Sequence, residues 1–110
     1  MVFDISKVTG IGEYAVETES IKKDGQPAKT RTIFRRTDTG KAFLVEGAVT
    51  LELRTDPELR KTLTDKYESV MESRYFGRGG IEIVTAGHQL TGSELCDLVR
   101  LSYNLSIASI

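Results

Sequence analysis

The chain has 110 residues, of which 39% are hydrophobic and 28% charged, and its formal net charge is −1 at pH 7. This length supports one hydrophobic core, so we expect a single domain over residues 1–110. The charge balance argues against a strongly basic nucleic-acid binder. The sequence contains no run of about 18 apolar residues, so we expect no membrane span and no membrane partner. Cys96 is the single cysteine, and residues 1–9 lack the pattern of a secretory signal, so we expect a cytoplasmic protein.

The first half of the sequence alternates between strand patterns and short turns. Apolar and polar residues alternate over residues 13–19 and 49–54, residues 30–36 are rich in β-branched side chains, and a short turn leads into residues 41–45. These patterns predict four strands. Their short connections favour antiparallel pairing, because a parallel return needs a long crossover. Residues 2–9 are compatible with one helical turn or with a stray edge strand, and the sequence does not decide between them.

Two helices follow in the second half. Thr55 and Asp56 are both suitable caps for a first helix, whose apolar stripe of Leu59, Leu63 and Tyr67 continues to about Met71. A loop at residues 74–80, which is glycine-rich over residues 77–80, and a fifth strand at residues 81–84 come next. A capping box formed by Thr91 and Glu94 opens a second helix that ends near Leu105.

These elements predict a two-layer α+β domain, with a mainly antiparallel sheet of about five strands and helices packed on one face. The predicted core consists of Val16, Ile33, Phe43, Leu51, Leu53, Leu59, Leu63, Ile83, Leu95, Leu98, Val99 and Tyr103.

The order and spacing of several short segments resemble the MmcQ/YjbR family. The segments are Ile33-Phe34, Gly40-Lys41-Ala42-Phe43, residues 51–59, residues 75–80, Glu94-Leu95, Leu98-Val99 and Ser102-Tyr103. The resemblance implies a CyaY-like, frataxin-like fold and a predicted DNA-binding role. Two features depart from the family: its fuller N-terminal helix has only residues 2–9 as a counterpart, and its tryptophan after the glycine-rich loop is replaced by Ile81.

A basic block occupies residues 20–41, which carry seven basic and two acidic side chains and a net charge of +5. Arg31 and Arg35 have the same strand parity, whereas Arg36 has the opposite one. Together with the neighbouring lysines they are candidates for a phosphate-binding hairpin, and the alternative is a solvated hairpin whose charges protect an edge strand. The candidates are Lys22, Lys23, Lys29, Arg31, Arg35, Arg36 and Lys41.

Arg74 and Arg78 flank the aromatic pair Tyr75-Phe76 beside the glycine-rich loop. Backbone N–H groups and two arginines make this loop a candidate anion site that extends the DNA-binding surface. The alternative is that the loop folds its aromatic side chains into the core. The loop lacks the lysine and hydroxyl of a P-loop, and a strand follows it where a dinucleotide fingerprint requires a helix.

Glu13, Glu17 and Glu19 have one parity in the first strand, so a hard-cation or partner-binding acidic ridge is a further hypothesis, with a plain solvent face as its alternative. His88 is interpreted as a surface residue and Cys96 as a buried, inert thiol. No catalytic motif is present, so we expect no enzyme and no cofactor.

Two principal functions remain open at this stage. The first is a module that binds double-stranded DNA without sequence preference through the basic hairpin and the Gly/Arg loop. The second is a protein-interaction or regulatory domain without a nucleic-acid ligand. They differ in one structural expectation: DNA binding requires the basic side chains to share a face without being paired to acidic residues.

Overall fold

The computed structural model describes residues 3–21, 24–25 and 29–107. The elements, in chain order, are β1 (Tyr14–Ile21), β2 (Lys29–Arg36), β3 (Ala42–Glu46), β4 (Thr50–Arg54), α1 (Pro57–Lys66), β5 (Val70–Ser73), β6 (Gly77–Val84) and α2 (Gly92–Leu105). A 3-10 turn at Ile5–Lys7 precedes β1, and a second one at Thr85–Gly87 precedes α2. Within the described ranges, no helix combines the length and the apolar character needed to cross a membrane.

The six strands form one sheet in the order β1-β2-β3-β4-β6-β5, and every neighbouring pair is antiparallel. Strand β6 lies between β4 and β5, so the unit β4-α1-β5 is a split βαβ crossover whose two strands run parallel without touching. The predicted α+β class and antiparallel pairing are confirmed, with six strands where about five were expected.

The sixth strand is β5, which the sequence analysis read as the end of the first helix. Helix α1 ends at Lys66, and Tyr67 already has extended dihedrals of φ −122° and ψ 124°. In β5 only Val70 and Ser73 are buried, so the segment lacks the apolar alternation that identifies a strand. The predicted loop at residues 74–80 is shorter in the structure: residues 74–76 form the turn, and the glycine-rich residues 77–80 begin β6.

Both helices begin at side-chain caps. The carboxylate of Asp56 accepts from the backbone N–H of Leu59, which settles the choice between the two candidate caps of α1. In α2 the Thr91 hydroxyl accepts from the Glu94 N–H while the Glu94 carboxylate accepts from the Thr91 N–H, so the predicted capping box is confirmed.

The main core lies between the sheet and the helices, where α2 covers β3 and β4 while α1 covers β5 and β6. Nine of the twelve predicted core residues are buried, and Leu59 and Leu98 are partly buried. Val16 is a wrong prediction, because 55% of its surface is exposed. It belongs to the helix-side row that includes Phe34 and Leu44, but β1 is an edge strand that neither helix covers.

A buried serine joins α2 to the sheet. The hydroxyl of Ser102 donates to the carbonyl of Phe43 at 2.5 Å and accepts from the backbone N–H of Arg54 at 2.7 Å. These bonds lie at the ends of two neighbouring strands, so a polar side chain within the apolar helix stripe fixes the position of the helix.

Candidate functional site: the open face of the sheet

The face opposite the helices, called the open face below, carries both charged and apolar side chains. One row of cross-strand partners runs across all six strands: Glu17, Ile33, Val45, Glu52, Glu82 and Met71. Side chains at alternate strand positions share a face, so this row and its neighbours define the surface. Four basic and two acidic candidates from the sequence analysis lie on it: Lys29, Arg31, Arg35, Arg74, Glu17 and Glu19.

The β5–β6 turn folds back onto the open face. Tyr75 and Phe76 pack against Ile33, Ala42 and Val45 and form a second, smaller apolar cluster. Glu52 anchors the turn, because its Oε1 accepts from the Ser73 hydroxyl and from the Tyr75 N–H, each at 3.0 Å. The interpretation in which the loop packs its aromatics inward is therefore confirmed.

Arginines surround the two aromatic rings. The guanidinium of Arg54 lies 4.9 Å from the centroid of Phe76, and that of Arg31 lies 5.0 Å from the centroid of Tyr75. Arg54 also donates from Nε to the carbonyl of Ala42 at 2.8 Å, and burial lowers its pKa. These contacts turn the arginine side chains along the surface of the sheet and give them a packing role in addition to their charge.

The strand arginines of the basic block are bonded to carboxylates of β1. Arg31 donates from Nε to Glu19 at 2.8 Å, and Arg35 donates from Nε to Glu17 at 2.7 Å. The bond to Glu17 is the main reason that the pKa of Arg35 is raised. Arg31 and Arg35 share a face, as predicted, but Arg31 is bonded to its direct cross-strand partner Glu19 and Arg35 to the diagonal neighbour Glu17.

A third pair joins a buried acid to an exposed base. Arg74 donates from Nε to Oε1 of Glu82 at 3.1 Å and from Nη2 to Oε2 at 2.9 Å. The side chain of Arg74 is 83% exposed, whereas that of Glu82 is 3% exposed. The hydrogen bonds from Arg74 lower the pKa of Glu82 despite its burial.

A groove of about 660 Å³ lies on the open face between β2 and the β5–β6 turn. The carboxylates of Glu52 and Glu82, which are direct partners on β4 and β6, line it together with cationic and neutral side chains. The other lining residues are Lys29, Thr30, Arg31, Ala48, Val49, Thr50 and Arg74.

Among the residues that the structure describes, the basic candidates Arg36, Lys41 and Arg78 do not line this groove. Arg36 lies on the helix side, where it bonds Asp38 at 2.7 Å and stacks 4.3 Å from the centroid of Tyr103. Lys41 follows the β2–β3 turn, and Arg78 is exposed in β6, where its carbonyl accepts from Arg60. Lys22 and Lys23 lie outside the described residues. The expectation of one unpaired basic surface is therefore wrong for the described candidates as a set.

The acidic ridge is also divided. Glu17 and Glu19 are paired with arginines, and Glu13 precedes β1, where its carbonyl accepts from the Tyr103 hydroxyl. Over residues 3–21, 24–25 and 29–107, no three His, Cys, Asp or Glu side chains converge as a metal site. His88 is exposed in a left-handed turn at φ 51°, as its surface interpretation predicts, while Cys96 is only partly buried.

Glu52, Glu82 and Arg54 are site residues that sequence reasoning missed. Each glutamate stands between two apolar strand residues, a pattern typical of a solvent-facing position. Both are buried because the β5–β6 turn and Arg74 lie over them. No local signal predicts that two such positions are cross-strand neighbours.

Comparisons with known proteins add no relative to this description. No protein-family model, no curated protein and no solved structure matches the chain. The resemblance to the MmcQ/YjbR family stays a prediction from its short segments, and the argument for function rests on the open face.

Proposed function

We propose that this chain is a protein-interaction module whose open face contacts a partner protein. One observation carries the proposal: three arginines of the open face are bonded to carboxylates of the same face, in the pairs Arg31–Glu19, Arg35–Glu17 and Arg74–Glu82. Such a surface has little net charge to attract a phosphate backbone. Mixed charges around aromatic and aliphatic side chains are instead typical of protein contacts.

Affinity capture from a nuclease-treated cell extract tests this function with a matched pair of variants. Val49 and Val16 are almost equally exposed, at 54% and 55%, but Val49 borders the groove while Val16 lies on the helix side of β1. The Val49→Asp variant is expected to lose the captured partner, and the Val16→Asp variant to retain it. Equal capture by both variants, or capture that nuclease abolishes, would contradict the proposal.

Non-specific binding of double-stranded DNA by the tip of the β1–β2 hairpin is the second candidate. It is favoured by Lys29, which is exposed and has no carboxylate partner among the described residues, and which is near Lys22 and Lys23 in sequence. A titration with mixed-sequence duplex at about 50 and 200 mM salt separates the two functions. Tip binding predicts an affinity that falls with salt, and the Lys29→Gln variant should reduce the logarithmic slope by about 0.9. The protein-interaction proposal predicts no saturable binding at either salt concentration.

A further inference from the structure

Arg74 is held in one orientation by a carboxylate that the fold itself buries. Its Nε and Nη2 are both bonded to Glu82, and no hydrogen bond joins its Nη1 to any described residue. The guanidinium therefore meets the Glu82 carboxylate edge to edge, and its Nη1 donors stay free at the groove. An arginine held in this way has already lost much of the side-chain freedom that binding would otherwise restrict.

A second cation lines the same groove at its opposite end. Lys29 lies at the start of β2, whereas Arg74 follows β5, and the strands between them form the floor. Thr30 and Thr50 add hydroxyl groups to the lining. Arg31 also lines the groove, but it is bonded to Glu19. Lys29, Arg74 and the two hydroxyl-bearing side chains therefore supply donors at the rim of a largely apolar groove, an arrangement that complements a small anion.

We propose that this groove binds the carboxylate of an acidic side chain of the partner protein, with Arg74 as the anchor and Lys29 as the second contact. This inference rests on the proposed protein-interaction function and names the chemistry of the partner. The floor argues against a polyanion, because Glu52 and Glu82 beneath the rim would repel a phosphate backbone pressed into the groove. Because Glu82 already occupies two donors of Arg74, the site suits one negative charge better than several.

The probe for this site is N-acetyl-glutamate N-methylamide, which presents one carboxylate on a short peptide-like group. A ¹H–¹⁵N NMR titration should give saturable shifts at the Arg74 Nε–H and at groove amides, with a millimolar dissociation constant. The neutral glutamine analogue and the cationic lysine analogue should give no saturable shifts. Absence of saturable shifts with the glutamate probe overturns the proposal.

The Arg74→Gln substitution should weaken the affinity for the glutamate probe at least about fivefold, since a charge-assisted hydrogen bond is lost. Arg78→Gln is the matched control, because it removes the same charge from an exposed residue that does not line the groove. Lys29→Gln provides a second test that leaves the Arg74–Glu82 pair untouched. It should weaken the affinity for the glutamate probe about twofold or more. Equal affinity in wild type, Arg74→Gln and Lys29→Gln overturns the assignment.

Inorganic phosphate serves as the competing anion. Phosphate that binds more than tenfold tighter than the glutamate probe overturns the assignment to an acidic side chain. The two proposals fail separately: if Val49→Asp abolishes partner capture while the glutamate probe does not bind, only the carboxylate assignment falls. If capture is independent of the open face, the protein-interaction function is overturned, whether or not the glutamate probe binds.

Discussion

Gly80 lies directly beneath Phe76: a Cβ atom on Gly80 would stand 2.8 Å from Cβ of Phe76 and would collide with the carbonyl oxygen of Leu53. The absence of a side chain in β6 therefore lets the β5–β6 turn fold onto the open face. Because this carbonyl belongs to the backbone of the central strand β4, it cannot move aside without disturbing the hydrogen bonds between β4 and β6.

The Gly80→Ala substitution is expected to destabilise the protein by about 1–3 kcal/mol, the usual cost of overpacking. It should also shift the NMR resonances of the Phe76 ring, since the ring is the other group in contact. Gly79→Ala is the control, because its Cβ would meet its nearest neighbour at an ordinary 3.5 Å. Urea melts that place both variants at the same midpoint would contradict this account of the turn.

Removing the guanidinium of Arg74 is expected to raise the pKa of Glu82. The hydrogen bonds from Arg74 are the largest cause that lowers this pKa below its ordinary value of 4.5, and burial acts in the opposite direction. The pKa of the Glu82 carboxyl can be followed by ¹³C NMR in wild type and in Arg74→Gln. An unchanged pKa would mean that the ion pair does not hold in solution.

The same pair predicts a pH dependence of stability. A carboxyl whose pKa is depressed by folding contributes stability above its unfolded pKa, and that contribution is lost as the pH falls through the folded pKa. The free energy of unfolding should therefore decrease below about pH 4.5 in wild type, and less steeply in Arg74→Gln. Urea melts between about pH 5 and pH 2 measure both slopes, and parallel curves would contradict the prediction.

The cross-strand ion pairs of β1 and β2 predict a rescue experiment. The double variant Arg31→Glu, Arg35→Glu places negative charges beside Glu19 and Glu17. It should lower the free energy of unfolding by about 1–2 kcal/mol at low salt. Adding Glu17→Arg and Glu19→Arg restores opposite charges and should recover most of that loss. Urea melts check both steps, and a quadruple variant no more stable than the double one would show that the pairing is not the cause.

Ser102 offers a test of how α2 is attached to the sheet. Ser102→Ala leaves the Arg54 N–H without its acceptor and the Phe43 carbonyl without its donor, so a loss of about 1–3 kcal/mol is expected. Ser93→Ala, at an exposed position in the first turn of the same helix, should change stability by less than about 0.5 kcal/mol. Thermal melts of equal midpoint would contradict a structural role for the buried hydroxyl.

Leu51→Ala is expected to cost about 2–5 kcal/mol, because Leu51 is 1% exposed within the main core. Val49 belongs to the same apolar pattern in the sequence, but it lies in the turn before β4 and is mostly exposed. Val49→Ala should therefore change stability by less than about 0.5 kcal/mol. A comparable loss in both variants, measured by urea melts, would mean that the apolar alternation extends through the turn.

The sequence by itself determined the elements whose signals are local. Alternation, β-branched content and turn residues predicted four of the strands, the short turns predicted their antiparallel pairing, and the Thr91–Glu94 capping box predicted the start of α2. These predictions succeeded because a strand pattern or a helix cap involves residues within a few positions of one another. The same reasoning placed Arg31 and Arg35 on one face.

Only the tertiary structure decided what the open face is. Val16 is exposed because the helices cover other strands, and Glu52 and Glu82 are buried because a turn and Arg74 lie over them. The charge of a sequence block likewise says nothing about whether its arginines face carboxylates 12 or 18 residues away. Burial and ion pairing depend on which strands become neighbours, and that register is set by the fold as a whole and by no single segment.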